Sequence, residues 1–196
     1  MTGKLLIAGV GNIFLSDDGF GVEVASRLAG CSLPTWADVV DYGIRGIHLA
    51  YDLASGYDSA ILIDATQRGG APGTVYVIEP DPSVVPAGAS PAGDEAEGLT
   101  AQAASPLLDA HGMQPDVVLQ ILGLLEDSAR TRADGRIIVV GCEPATAEYG
   151  IGLSEPVAAA VDEAMRVVLD LVAAAGSRPD HQLAAKEWSH VPRHSR

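Results

Sequence analysis

Residues 5–21 read LLIAGVGNIFLSDDGFG, and their reading decides the architecture. The first six form a short apolar run closed by glycines, the mark of a strand buried on both faces. Gly11 to Ser16 then make a loop, and two adjacent acids, Asp17 and Asp18, open a helix that runs to Gly30. Ser16 is placed to cap that helix, and acids in a first turn suit the helix dipole. Val22, Val24, Ala25 and Leu28 recur along one face of it. A buried strand feeding a helix through a glycine-rich loop is the start of a parallel α/β sheet with helices on both faces.

The rest of the chain repeats that pattern. Residues 38–41 make a second strand entering the glycine-rich turn 42–46, and 47–53 a short helix. Residues 59–64, SAILID, are a third strand that ends on an acid. Residues 73–78, GTVYVI, are a fourth. The connection between them carries Gly69, Gly70 and Pro72 and is too short for a helical crossover, so the fourth strand is expected to be antiparallel. Residues 80–106 hold Pro80, Pro82, Pro86, Pro91 and Pro106 among Ala, Gly, Ser and acids, without apolar periodicity, and read as a flexible surface loop. A helix starts near Pro115 with Val117, Val118, Ile121, Leu122 and Leu125 on one face. A strand follows at 136–141, then a helix at 154–175, capped by Ser154 and stopped by Gly176. The expectation is one three-layer α/β domain over 1–176, its twisted sheet mostly parallel with one antiparallel strand, and a disordered polar tail at 177–196.

Composition narrows the function. A formal net charge of −14 repels phosphate backbones and anionic lipid, which excludes nucleic acid and membrane surfaces as partners. The charge serves solubility or a preference for a basic protein partner. An aromatic content of 5% leaves little for a base- or sugar-stacking surface. Cys31 and Cys142 form no CxxC pair or zinc spacing and fit free thiols in a reducing cytosol. The first apolar run is too short for a signal peptide and no stretch reaches a membrane span, so the expectation is a cytoplasmic protein. Nothing demands more than a monomer.

In open α/β sheets, sites gather at the carboxyl ends of the strands. Asp17 and Asp18 follow the first strand, and Asp64 closes the third. Gly9 and Gly11 invite a dinucleotide reading, but Phe14 stands where the third glycine is needed, and acids at that helix end compete with phosphate. Adjacent helical residues point about 100° apart, so one of the two acids faces the sheet's edge and the other serves the helix end. Asp64 has two readings, a turn former or a site acid. Of five histidines, His181, His190 and His194 fall in the polar tail, and His48 lies in the short second helix. His111 stands just before a helix N-terminus, where the dipole favours the neutral, metal-binding imidazole. Two carboxylates and one imidazole make an O,O,N set suited to a divalent ion of intermediate hardness.

The string Gly9 to Gly21, GxGN followed by four residues and Asp-Asp-Gly-x-Gly, resembles the N-terminal signature of the hydrogenase maturation proteases. The resemblance continues through Asp41-Tyr42-Gly43, Ile63-Asp64-Ala65, Pro72-Gly73-Thr74, His111-Gly112, Gly141-Cys142-Glu143-Pro144 and Gly152-Leu153-Ser154, covering essentially residues 4–175. It implies an endopeptidase that removes a C-terminal extension from a nickel-loaded hydrogenase large-subunit precursor. It also implies that the nickel arrives on the precursor and is not held permanently by the protease, and that Asp18, Asp64 and His111 reach it and carry the catalysis. Some members carry Glu where this chain has Asp18, which keeps the charge but shortens the reach here by one methylene. The 80–106 stretch looks longer than in compact members and offers a partner-specific contact surface. The reading from another class is a non-catalytic, nickel-dependent chaperone or sensor on the same fold.

Overall fold

The computed structural model describes residues 3–79 and 137–177. His111, the helix near Pro115, the 80–106 segment and the polar tail from 178 lie outside the described residues. Five strands form one sheet: β1 (Leu5–Val10), β2 (Ala37–Gly43), β3 (Ser59–Ala65), β4 (Val75–Ile78) and β5 (Ile137–Cys142). Three helices accompany them: α1 (Phe20–Leu28), α2 (Gly46–Ser55) and α3 (Glu155–Gly176).

Every residue of β1 is buried, which explains its unalternating sequence. Its side chains still divide by the strand period of two. Leu5 and Ile7 join a core with α1 and α3, whereas Leu6, Ala8 and Val10 join Leu49, Ala50 and Leu53 of α2 on the opposite face. In β3, Ile61 and Ile63 go with the first set and Ala60 and Leu62 with the second. Each fully buried Leu or Ile contributes about 1.5–3 kcal/mol relative to exposure. The described helices therefore cover both faces, as expected for a mostly parallel sheet.

The strand order is β2-β1-β3-β5-β4. β1 pairs in parallel with both β2 and β3, and β3 in parallel with β5. The chain steps from β1 outward to β2 and then crosses back to β3. The carboxyl ends of β1 and β3 therefore flank a topological switch point, the usual crevice of an open α/β sheet. β4 is antiparallel as expected, but its partner is β5, which inserts between β3 and β4. The short 66–74 connection arches over the end of β5, pinned by Thr66 N–H to Cys142 O at 2.8 Å and Gly73 N–H to Glu143 O at 2.8 Å.

The helix entry differs from the sequence expectation. Ser16–Gly19 is a single 3-10 turn, and α1 begins at Phe20 with Gly19 at its N-cap. Ser16 does not cap. It sits at φ +49° in the left-handed region, its N–H donates to Gly150 O, and its hydroxyl donates to Glu148 O. A left-handed residue cannot enter a helix, so the chain tightens first. Gly21 is required in the first turn of α1, because any Cβ there would overlap the carbonyls of Val10 and Ile63. α1 thus lies directly on the ends of β1 and β3. Its C-cap is Ala29, so Gly30 follows the helix instead of stopping it. Ser154 does occupy the N-cap of α3, but its hydroxyl turns to Asp17 and makes no cap bond. Among the described residues no helix is long and apolar enough to cross a membrane.

Candidate active site

Asp17, Asp18, Asp64 and Glu143 stand at the carboxyl end of the sheet, and their surroundings differ. Asp17 is fully buried. One of its oxygens accepts the N–H of Ser154 at 2.6 Å; the other accepts the Ser154 hydroxyl at 2.9 Å and the N–H groups of Ala145 and Thr146 at 2.9 and 3.1 Å. Burial alone would raise its pKa, but these bonds outweigh it and hold the carboxyl below its ordinary value of 3.8. Asp17 is not the acid of the helix end that the sequence suggested. It clamps the 3-10 turn to the loop after β5 and to the start of α3.

Asp18 is half-buried, and its Oδ2 accepts the Asn12 N–H at 2.7 Å. Its own N–H donates to Leu15 O at 3.1 Å, closing the turn. Asp64 is the penultimate residue of β3 and is 2% exposed. Both residues flank Gly11, Asp18 by its backbone carbonyl and Asp64 by its carboxylate. Gly11 has φ +130°, a Cβ on it would overlap the Asp18 carbonyl, and the same Cβ would lie 3.8 Å from Asp64 Oδ1. Only glycine fits there, which is why the loop between β1 and the acids carries one. Asp18 and Asp64 thus lie on either side of Gly11, at the carboxyl end of β1. His111 lies outside the described residues, and His48 is an exposed residue of α2. Among the described residues no three His, Cys, Asp or Glu side chains gather as a metal site. Two carboxylates are what the described part of the expected O,O,N set contains.

Glu143 follows β5 and is 3% exposed. Its carboxylate accepts the N–H of Arg68 at 2.9 Å, the N–H of Gly69 at 3.0 Å and the Tyr76 hydroxyl at 2.9 Å. Burial pushes its pKa up, yet the backbone bond from Arg68, the Tyr76 hydroxyl and the amides of Gly70 and Gly69 bring it below the ordinary 4.5. Burial and this carboxylate also push the Tyr76 phenol up. Sequence reasoning missed Glu143 as an anchor, although the signal was present: an acid closing an apolar strand, as at Asp64. Cys142 next to it has its thiol pushed up to about 12, first by burial and then by the charges of Asp17 and Glu143. It stays protonated at neutral pH and is no nucleophile.

Between the loops that follow β1 and β2 opens a cavity of about 310 Å³, whose lining includes Gly11, Asn12, Phe14, Tyr42, Ile44 and Arg45. The Arg45 guanidinium is fixed there, donating from Nε to Tyr42 O at 3.1 Å and from Nη2 to Asp41 O. The Tyr42 hydroxyl beneath it donates to Asp52 at 2.5 Å, with its pKa raised first by burial and then by Asp52.

Known proteins match this chain in sequence and fold. The family described as hydrogenase maturation protease matches residues 22–89. The hydrogenase expression/formation protein HupM of Azotobacter chroococcum is 31% identical over 182 residues, covering 90% of this chain and 76% of its own. The hydrogenase maturating endopeptidase HybD of Escherichia coli superposes with a TM-score of 0.66 at 25% identity, covering 88% of this chain and 94% of its own. A hydrogenase 2 maturation peptidase from a Thaumarchaeota archaeon superposes at 0.59 with 30% identity, covering 85% and 96%. Similarity of this extent in sequence and in fold leads to one assignment: the chain belongs to the hydrogenase maturation proteases and is a peptidase, a hydrolase of the endopeptidase class.

Proposed function

We propose that this endopeptidase removes a C-terminal extension from a nickel-loaded hydrogenase large-subunit precursor, with Asp18, Asp64 and His111 as its working residues. The observation that supports the reading is that Asp18 and Asp64 both flank Gly11, at the switch point of a fold shared with a hydrogenase maturating endopeptidase. The nickel belongs to the substrate. Asp18 and Asp64 offer it oxygen donors and His111 a nitrogen donor, and the remaining coordination stays with the precursor. Nickel so held fixes the scissile bond against the two carboxylates, and one of them serves as ligand or as general base toward water. We also take residues 1–176 as one domain that works as a cytoplasmic monomer.

The test is cleavage of the nickel-loaded precursor from the same cell, followed by mass. Loss of a short C-terminal peptide that depends on nickel and disappears with His111→Ala supports the reading. A precursor left intact by the wild-type enzyme refutes it. Asp64→Asn then separates the two roles: docking kept with cleavage lost marks a general base, and loss of both marks a ligand.

A further inference from the structure

Several of the large hydrophobic side chains left exposed among the described residues lie on the segments that follow β1, β2 and β5 at the end of the sheet that carries the acids, while Ile47 and Tyr51 are exposed on α2. Phe14 after β1 is 59% exposed, Ile44 after β2 is 53%, and Tyr149 and Ile151 after β5 are 89% and 84%. Two of these segments are joined: Leu15 bridges to Gly150, and Gly150 N–H donates to Phe14 O at 3.0 Å. Phe14 and Ile44 both line the cavity between the β1 and β2 loops. A connected apolar rim on one end of a chain with net charge −14 marks an interaction site.

We propose that this cavity and its rim dock an extended segment of the precursor beside the bond that is cut, seating one apolar side chain between Phe14 and Ile44 with a backbone carbonyl facing Arg45. The inference rests on the processing reading above and deepens it. Three observations select this occupant. The cavity lies beside the acids, because Asn12 lines it and donates to Asp18, and Gly11 lines it with Asp18 and Asp64 on its flank. Its volume of about 310 Å³ is at the low end for binding pockets, room for one or two side chains. Its chemistry suits a neutral chain: the Asp41 carboxylate, also in the lining, repels an anionic side chain, while the fixed Arg45 head keeps N–H groups for a carbonyl. A second copy of this chain is a poor occupant, since both copies carry the same large negative charge.

The experiment uses the full-length chain and the nickel-loaded precursor, with kcat and KM measured for wild type, Phe14→Ser, Ile44→Ser and Phe14→Leu. Both positions are more than half exposed, so melting temperatures should stay at the wild-type value. The expected result is a KM roughly tenfold higher in each serine variant, with kcat within about twofold of wild type and most of the loss recovered in Phe14→Leu. Unchanged KM in both serine variants overturns the inference. So does a fall in kcat at constant KM, which would make the loops supports for Asp18 and not a dock. So does a wild-type dimer, seen by light scattering, that the serine variants split. If the wild-type enzyme fails to shorten the precursor, the processing reading falls and takes this one with it; cleavage by wild type with indifferent rim variants sinks this one alone.

Discussion

The two sides of the sheet's carboxyl end are built on opposite plans. On the β5 side, Asp17 and Glu143 are sunk out of solvent and bonded to backbone amides of loops distant in sequence. On the β1–β2 side, Asp18 closes a local loop, and the surface around it carries exposed apolar side chains and a guanidinium. Adjacent acids, Asp17 and Asp18, therefore belong to different machines. One makes a frame and the other is aimed by it. A site held to a fraction of an ångström needs such a rigid support, and buried carboxylates saturated by amides supply it.

That division can be attacked directly. The largest effect is expected at Asp18. Asp18→Asn should cut the rate of precursor processing by about 10³-fold. Its melting temperature should stay within about 2 °C of wild type. A large drop in stability would erase the distinction from Asp17. Asp17→Ala should behave the other way in calorimetry. It strands donors from Ala145, Thr146 and Ser154, at a cost of about 3 kcal/mol. For a chain of this size that is a fall of roughly 10 °C in melting temperature. An unshifted Tm would show that the clamp is dispensable.

Acid should loosen the frame. The pKa values of Asp17 and Glu143 are both depressed in the fold. Their stabilisation is therefore fully present above their ordinary values of 3.8 and 4.5, and is lost as pH falls through the lower folded values. Melting temperature should decline below about pH 5, and the decline should be shallower in Glu143→Gln. The variant and wild-type curves should converge at low pH; parallel curves would remove Glu143 from the acid transition. The smallest effect concerns Cys142, buried between the anchors. A thiol reagent at neutral pH should label Cys31, which is partly exposed, and reach Cys142 only after unfolding. Rapid labelling of both would show that the β5 side opens easily.

Much of the fold was legible because fully buried parallel strands write continuous apolar runs, as in LLIAGV and SAILI. The antiparallel sense of β4 also followed from a short connection. Its partner did not, since pairing depends on where a strand much later in the chain inserts. The Ser16 cap failed for a related reason. A left-handed turn is imposed on Ser16 by contact with Gly150 and Glu148, not by its neighbours. The role of Asp17 was hidden because its donors lie 128 to 137 residues away. Asp18 and Asp64 stand out in the sequence by their place at strand ends, and in the structure both flank Gly11. Glu143 follows IIVVGC just as Asp64 follows SAILI, so the strand-end rule finds both acids but cannot tell the anchor from the candidate. The exposed Phe14 and Ile44 were invisible as a surface, because hydropathy reads an exposed apolar residue as core.

The insertion of β5 between β3 and β4 sets a timetable for the nascent chain. During synthesis β1, β2 and β3 can pair as soon as they leave the ribosome, and Asp18 and Asp64 come with them. β4 must then wait without a ladder partner until β5 arrives, and Asp17 must wait for the donors at 145, 146 and 154. Non-local closures of this kind come late in folding. A partly made chain thus carries both acids on an unfinished mount.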